Sequence, residues 1–149
     1  MLKINKIYHL DCFKFLNKID DKSVNLVIVD PPYFLNKDVW DTFNSHEEFL
    51  EFTFSWIDVL IPKIKDNGSL YIFNTPFNCA FILSHVLKHN LKFKNWITWD
   101  KRDGFSNGTK KYANGQETIL FFVKNEDYVF NYNNIRVPYE STERIFYAK

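Results

Sequence analysis

The segment Val24-Asn25-Leu26-Val27-Ile28-Val29-Asp30-Pro31-Pro32-Tyr33 holds the strongest structural signal in the chain. Its first six positions are apolar except for Asn25, and β-branched side chains predominate. A short continuous apolar run of this kind predicts a strand buried on both faces, as in a parallel sheet. The run stops at Asp30-Pro31-Pro32. Two prolines donate no backbone hydrogen bonds, so a central strand has to end there.

Working outward, Lys3–His9 is β-prone through Ile4, Ile7 and Tyr8, and Asp11 is placed to cap a short helix over Cys12–Asn17. Beyond the prolines, Ser45 or His46 opens the clearest helix, with Phe49, Phe52, Trp56, Val59 and Leu60 on helical spacing. Glu47 and Glu48 fall in its first turn, where the helix dipole favours negative charge. Pro62 bends or ends it. Asp66-Asn67-Gly68 reads as a turn and Ser69–Phe73 as the next strand. Pro76–His89 is a second helix with proline near its first position. Asn95–Trp99, Thr118–Val123 and a short Tyr128–Phe130 read as further strands. Strands alternating with helices predict an α/β domain with a largely parallel sheet.

The bulk numbers agree with one globular domain. The 149 residues are 46% hydrophobic and 25% charged, with a net charge of +1. Nucleic-acid binding would therefore depend on local basic clusters rather than on a basic average. Cys12 and Cys79 make neither a disulfide framework nor a zinc site. Met1–Asp11 has no apolar run long enough for a signal peptide, and no segment reaches the length of a membrane span. The expectation is a cytoplasmic protein with reduced thiols and no membrane partner.

Residues 102–116 break the pattern. Three of the four glycines lie there, Gly104, Gly108 and Gly115, with Arg102, Lys110, Lys111 and Tyr112. The segment reads either as a mobile basic loop or as a plain surface connection.

Asp30-Pro31-Pro32-Tyr33 lies where ligands bind in open α/β sheets, at the carboxyl end of a strand. One reading is a strand-ending turn with a buried tyrosine. The other is chemical. The exocyclic amine of adenine is a poor nucleophile because its lone pair is delocalised into the ring. A carboxylate from Asp30 accepting one N–H, and the Pro31 carbonyl accepting the other, would favour a pyramidal nitrogen with an available lone pair. Pro32 would make that geometry rigid, and Tyr33 offers a flat face for an extruded base. With an activated methyl donor, positioning and electrostatics can supply most of the catalysis.

These residues resemble the amino-methyltransferases of bacterial restriction-modification systems, in the MboII-like group whose catalytic motif lies near the N-terminus. Tyr8-His9-Leu10-Asp11-Cys12, Asp30-Pro31-Pro32-Tyr33, Trp40-Asp41 with Glu47–Trp56, Asn67-Gly68-Ser69-Leu70-Tyr71, Trp99-Asp100-Lys101 and Glu117–Phe122 match the family's segments in order. The resemblance implies a Rossmann-like fold, S-adenosylmethionine as cofactor and double-stranded DNA as partner. It implies Asp30, Pro31, Pro32 and Tyr33 as catalytic residues, and Asp11, Cys12 and Asp30 beside the cofactor. Lys101, Arg102, Lys110, Lys111 and Tyr112 would contact DNA. Aspartate at the first motif position favours adenine N6; cytosine N4 or an RNA base is the alternative.

The family's Phe-x-Gly-x-Gly-like motif has no counterpart among Gly68, Gly104, Gly108 and Gly115. The expectation is an incomplete methyltransferase domain over residues 1–149, lacking the glycine-motif strand and the strand after it. Such a chain would be a truncated product or half of a split enzyme, working with a complementary chain or a second copy. A non-catalytic fragment that binds DNA or a partner subunit is the rival.

His85 and His89 stand four apart, which is ligand spacing for zinc. No third ligand is evident in the sequence, so they read as surface histidines and no metal is expected. Phe49, Phe52 and Trp56 read as core. Phe34 and Trp40 either line a base pocket or simply pack.

Overall fold

The computed structural model describes residues 2–101, 109, 110, 112 and 115–138. Eight elements follow one another: α1 (Cys12–Leu16), β1 (Val24–Val29), α2 (His46–Leu60), β2 (Ile64–Asn74), α3 (Pro76–Val86), β3 (Lys92–Asp100), β4 (Gln116–Val123) and α4 (Tyr132–Ile135). Single 3-10 turns at Val39–Asp41, Ile61–Lys63 and Leu87–His89 join them.

The helix starts are set by their caps. Asp11, Ser45 and Thr75 each accept a backbone N–H three residues on, from Lys14, Glu48 and Asn78. Pro62 does not break α2 sharply but tightens its end into the Ile61–Lys63 turn.

The four strands form one sheet in the order β1-β2-β4-β3. Only β1 and β2 are parallel; β4 runs antiparallel to both β2 and β3. The expectation of a largely parallel sheet is thus corrected. The end of β3 and the start of β4 lie on adjacent rungs, Asp100 opposite Gln116, and strands that meet this way pair antiparallel. Helices α2 and α3 cover one face of the sheet. Leu70, Ile72, Leu120 and Phe122 alternate onto that face and are fully buried with Ile57, Ile82 and Val86.

The opposite face is only partly covered. Tyr71 stacks on its cross-strand partner Phe121 at 4.3 Å, and Tyr128 and Phe130 pack over Phe121. Tyr128–Phe130 is therefore an aromatic cover rather than the strand expected. On β1, Leu26 and Ile28 remain 54% and 63% exposed. The prediction of a strand buried on both faces fails for β1, because among the described residues it is an edge strand with helices on one side only.

Lys3–His9 forms no strand either. Among the described residues no strand lies outside β1, so this segment has no ladder to join. Instead the Tyr8 hydroxyl accepts from the Lys3 N–H and donates to the Lys3 carbonyl, and Ile4 and Ile7 face solvent.

The expected turn at Asp66-Asn67-Gly68 is absorbed into β2 as an irregularity. Val24 pairs with Ile64 but Leu26 pairs with Ser69, so the residues between Ile64 and Ser69 are partly looped out. Gly68 is needed there: a Cβ would stand 2.6 Å from Ile64 Cγ2 and 3.1 Å from the Asn25 carbonyl. Past this point the register is regular, and Val29 lies opposite Ile72.

Candidate active site

Because β1 and β2 are parallel and β4 is antiparallel to β2 and β3, four chain points meet at one sheet edge. They are the end of β1, the end of β2, the end of β3 and the start of β4. Asp30-Pro31-Pro32-Tyr33 leaves β1 at this edge. Asn74 closes β2, and the N-termini of α2 and α3 lie close by.

The tyrosine loop is held by a buried carboxylate. Asp41 is 1% exposed. Its Oδ1 accepts from the backbone N–H of Tyr33 at 2.6 Å and of Phe34 at 2.8 Å. Its Oδ2 accepts from Leu35 at 2.9 Å and Lys37 at 3.3 Å. Burial alone would raise the Asp41 pKa, but the four amide donors outweigh it and hold the carboxyl below its ordinary range. Phe34 sits in the left-handed region at φ 59°, a costly place for an aromatic residue. The amide bonds on either side of it compensate.

A second device fixes the carbonyl groups. Asn74 Nδ2 donates to the Pro32 carbonyl at 3.3 Å, and Asn78 Nδ2 donates to the Tyr33 carbonyl at 2.9 Å. Asn78 Nδ2 also donates to Asn74 Oδ1, and its own Oδ1 meets His46 Nε2 at 3.0 Å. The amides are thereby oriented, with their donors toward the loop. Among the described residues, no hydrogen bond reaches the Pro31 carbonyl. Of three successive carbonyls, the two after Pro31 are occupied, and that of Pro31 has no partner among the described residues.

The Tyr33 hydroxyl donates to Asp30 Oδ1 at 2.7 Å and lies 3.4 Å from Glu117 Oε2. Burial chiefly, and then these carboxylates, push the phenol well above its ordinary pKa. Lys101 Nζ pairs with Glu117 Oε1 at 2.5 Å. Two larger hollows and a small one flank the loop. One of about 920 Å³ is lined by Tyr33, Phe34, His46, Asn78, Asp100 and Gln116 among others. The other, about 500 Å³ and mostly apolar, runs along β1 and includes Cys12, Phe15, Asp30, Pro31 and Pro32.

The structure brings together Asp30, Pro31, Pro32, Tyr33 and Cys12. Asp11 does not line the 500 Å³ hollow; its carboxylate caps α1, accepting from Lys14 N at 3.1 Å. Cys12 is on the surface, and burial and the Asp11 charge raise its thiol pKa. Cys79 is buried, with its thiol pushed up to about 12. A cofactor of nucleoside size fits the β1 hollow by volume. The described residues offer no glycine turn beside it for the close backbone approach of a methionine moiety. Of the basic residues, Lys101 follows the end of β3, Lys110 is exposed, and beside them Tyr112 is 96% exposed. Arg102 and Lys111 lie outside the described residues, as does most of the 102–116 loop.

Sequence reasoning gave no role to Asp41, Asn74, Asn78, His46 or Glu117. Asp41 had a signal, as an acid eight residues after Tyr33 in a stretch rich in turns. Asn74 and Asn78, four apart around the Thr75-Pro76 helix start, had a weaker one.

Comparison with known proteins gives the family. The N6/N4 family model described as DNA methylase matches residues 24–149. The type II methyltransferase M1.MboII of Moraxella bovis is 55% identical over 148 residues, covering 99% of this chain and 57% of that protein. M.BamHI of Bacillus amyloliquefaciens is 32% identical over 142 residues, covering 93% and 33%. Among solved structures, the M1.HpyAVI–SAM complex superposes with a TM-score of 0.64 at 23% identity, covering 89% of this chain and 60% of that one. The cytosine-N4-specific PvuII DNA methyltransferase superposes with a TM-score of 0.63 at 14% identity, covering 81% and 49%. The fold is thus that of the methyltransferases, in part: the chain spans little more than half the length of M1.MboII and less of M.BamHI. With its motif at the end of β1, its matching family model and its 55% identical relative, the chain belongs to the N6/N4 DNA methylases.

Proposed function

We propose that this chain carries the base-binding and catalytic part of an S-adenosylmethionine-dependent DNA methyltransferase acting on N6 of adenine. The observation that carries the reading is the Pro31 carbonyl, left without a partner among the described residues beside the Asp30 carboxylate, while Asn74 and Asn78 occupy its neighbours. An extruded exocyclic amine has two N–H groups, and Asp30 and Pro31 present two acceptors. S-adenosylmethionine, when bound, supplies an activated methyl group. Asp30 and Pro31 orient the amine so that its lone pair faces that methyl, and Tyr33 supports the base by stacking. The fixed loop means that little reorganisation is needed at the moment of reaction.

The residues proposed to hold the cofactor are Cys12 and Asp30, with Asp11 at the start of α1. Lys101, Arg102, Lys110, Lys111 and Tyr112 are proposed to meet the DNA backbone beside the pocket. The 55% identical relative is a type II methyltransferase, which supports a restriction-modification setting and a cytoplasmic location. Likeness to a cytosine-N4 enzyme keeps that base as the second substrate reading.

The test is transfer of labelled methyl from S-adenosylmethionine to mixed-sequence duplex DNA, followed by nucleoside analysis. N6-methyladenine from the wild type, reduced about 10²–10³-fold in Asp30→Ala, is expected. N4-methylcytosine would move the assignment to the other amine. A folded chain without activity would favour a division of labour, for which β1 supplies a reason. Among the described residues its outer edge is unpaired, and Leu26 and Ile28 are exposed, so a complementary chain adding strands there would complete the sheet. Recovery of activity on mixing with a chain that carries the family's glycine motif would support that arrangement. A symmetric dimer of this chain alone would replace it.

A further inference from the structure

The helix layer carries a cluster that the methyl-transfer reading does not use. His85 lies in the last turn of α3 and His89 one turn further on, so both side chains share one face. Asp58, near the end of α2, faces them. Asp58 Oδ1 is 2.6 Å from His85 Nε2 and 2.9 Å from His89 Nε2. The three donor atoms lie within 4.8 Å of one another. His85 is further fixed by Phe54, whose ring stacks on the imidazole at 4.0 Å with an interplanar angle of 5°. Phe54 and Asp58 are themselves four apart on α2. Two facing helical turns thus present two imidazoles and a carboxylate to one point.

We propose that Asp58, His85 and His89 form a binding site for a divalent transition ion of the zinc class. Three convergent ligands of nitrogen and oxygen type match a tetrahedral site whose fourth position is taken by water. Bonds of roughly 2.0–2.1 Å separate ligand atoms by about 3.3 Å in a tetrahedron, so Asp58 has to swing outward to admit the ion and the two imidazoles have to settle to that spacing. The Asp58 side chain is 48% exposed and free to swing. The imidazoles select against magnesium and calcium, which take oxygen ligands. The cluster lies twelve residues along α2 from His46, about 18 Å at the helical rise. It is remote from Asp30, and an ion here would fasten α2 to α3 rather than join the chemistry.

The experiment is zinc titration of the untagged full chain in a Cys12→Ser background, which removes the exposed thiol. Calorimetry should give one zinc per chain, with magnesium and calcium silent. Melting temperature should rise by roughly 5–10 °C at a hundredfold excess over Kd. His89→Gln and Asp58→Asn should each abolish the zinc-dependent rise while leaving the metal-free melting temperature nearly unchanged. Both are partly exposed positions, so loss of folding does not confound the result. No zinc binding by the parent chain, or equal binding by the two variants, would overturn the proposal.

Discussion

The hydroxyl of Tyr33 donates to Oδ1 of Asp30 at 2.7 Å, so the side chain proposed to stack on the base also covers the carboxylate proposed to receive its amine. One must be released before the other can work. On that proposal, entry of a base would exchange a phenol for an amine at the same oxygen.

Removing that hydroxyl separates the two roles. Tyr33→Phe keeps the ring and frees Asp30, so methyl transfer should stay within about tenfold of wild type. Tyr33→Ala loses the stacking face, worth roughly 1–3 kcal/mol per base, and should cost correspondingly more. The raised phenol pKa has its own sign. The protonated form contributes stability that is fully present below the ordinary phenol pKa near 10 and is lost as pH rises through the higher folded value. Alkaline difference absorbance should show Tyr33→Phe lacking no phenolate that the folded wild type develops near pH 10.

Asp41→Asn should destabilise the fold by about 2–4 kcal/mol, because an amide oxygen cannot replace two carboxylate oxygens holding four N–H groups. The Asp41 pKa is lowered in the folded state. Its contribution is therefore present above the ordinary carboxylate range and lost as pH falls through the folded value. Thermal melts of wild type and variant should differ most near neutrality and converge in acid. An undiminished gap at low pH would assign the effect to packing instead.

DNA affinity should fall as salt rises. Removing one phosphate-binding cation should make the slope of log K against log salt shallower by about 1. Lys110→Ala, at an exposed position, should show that change without altering the melting temperature. An unchanged slope would remove Lys110 from the interface.

The edge of β1 gives a solubility prediction. Ile28→Lys places a charge on a side chain that is already 63% exposed, so stability should change by less than about 0.5 kcal/mol. Self-association by light scattering should drop, since a charged edge resists pairing with another chain. If association persists, another surface causes it.

Much of this was legible in the sequence. The apolar run ending in two prolines marked β1 and the candidate site, and the helix starts read at Asp11 and Ser45 are capped by those side chains. What the sequence hid was non-local. Apolarity of Val24–Val29 is the same whether neighbours lie on one face or two, so the exposure of Leu26 and Ile28 could not be read. Lys3–His9 has strand propensity, but a strand exists only with a partner. Asp58 is one acid among eighteen; only the packing of α2 on α3 singles it out beside His85 and His89. Asn74 and Asn78 likewise look ordinary until Pro32 and Tyr33 are folded back over them.

The ends of the 102–116 loop are tied at adjacent rungs. Asp100 pairs with Gln116, and Lys101 N donates to the Gly115 carbonyl at 2.8 Å. Both rungs adjoin the hollow that Tyr33 lines. A segment clamped at its neck can be lengthened, shortened or exchanged without moving the strands that carry it. The strands that line the Tyr33 hollow therefore keep their register whatever sequence joins β3 to β4.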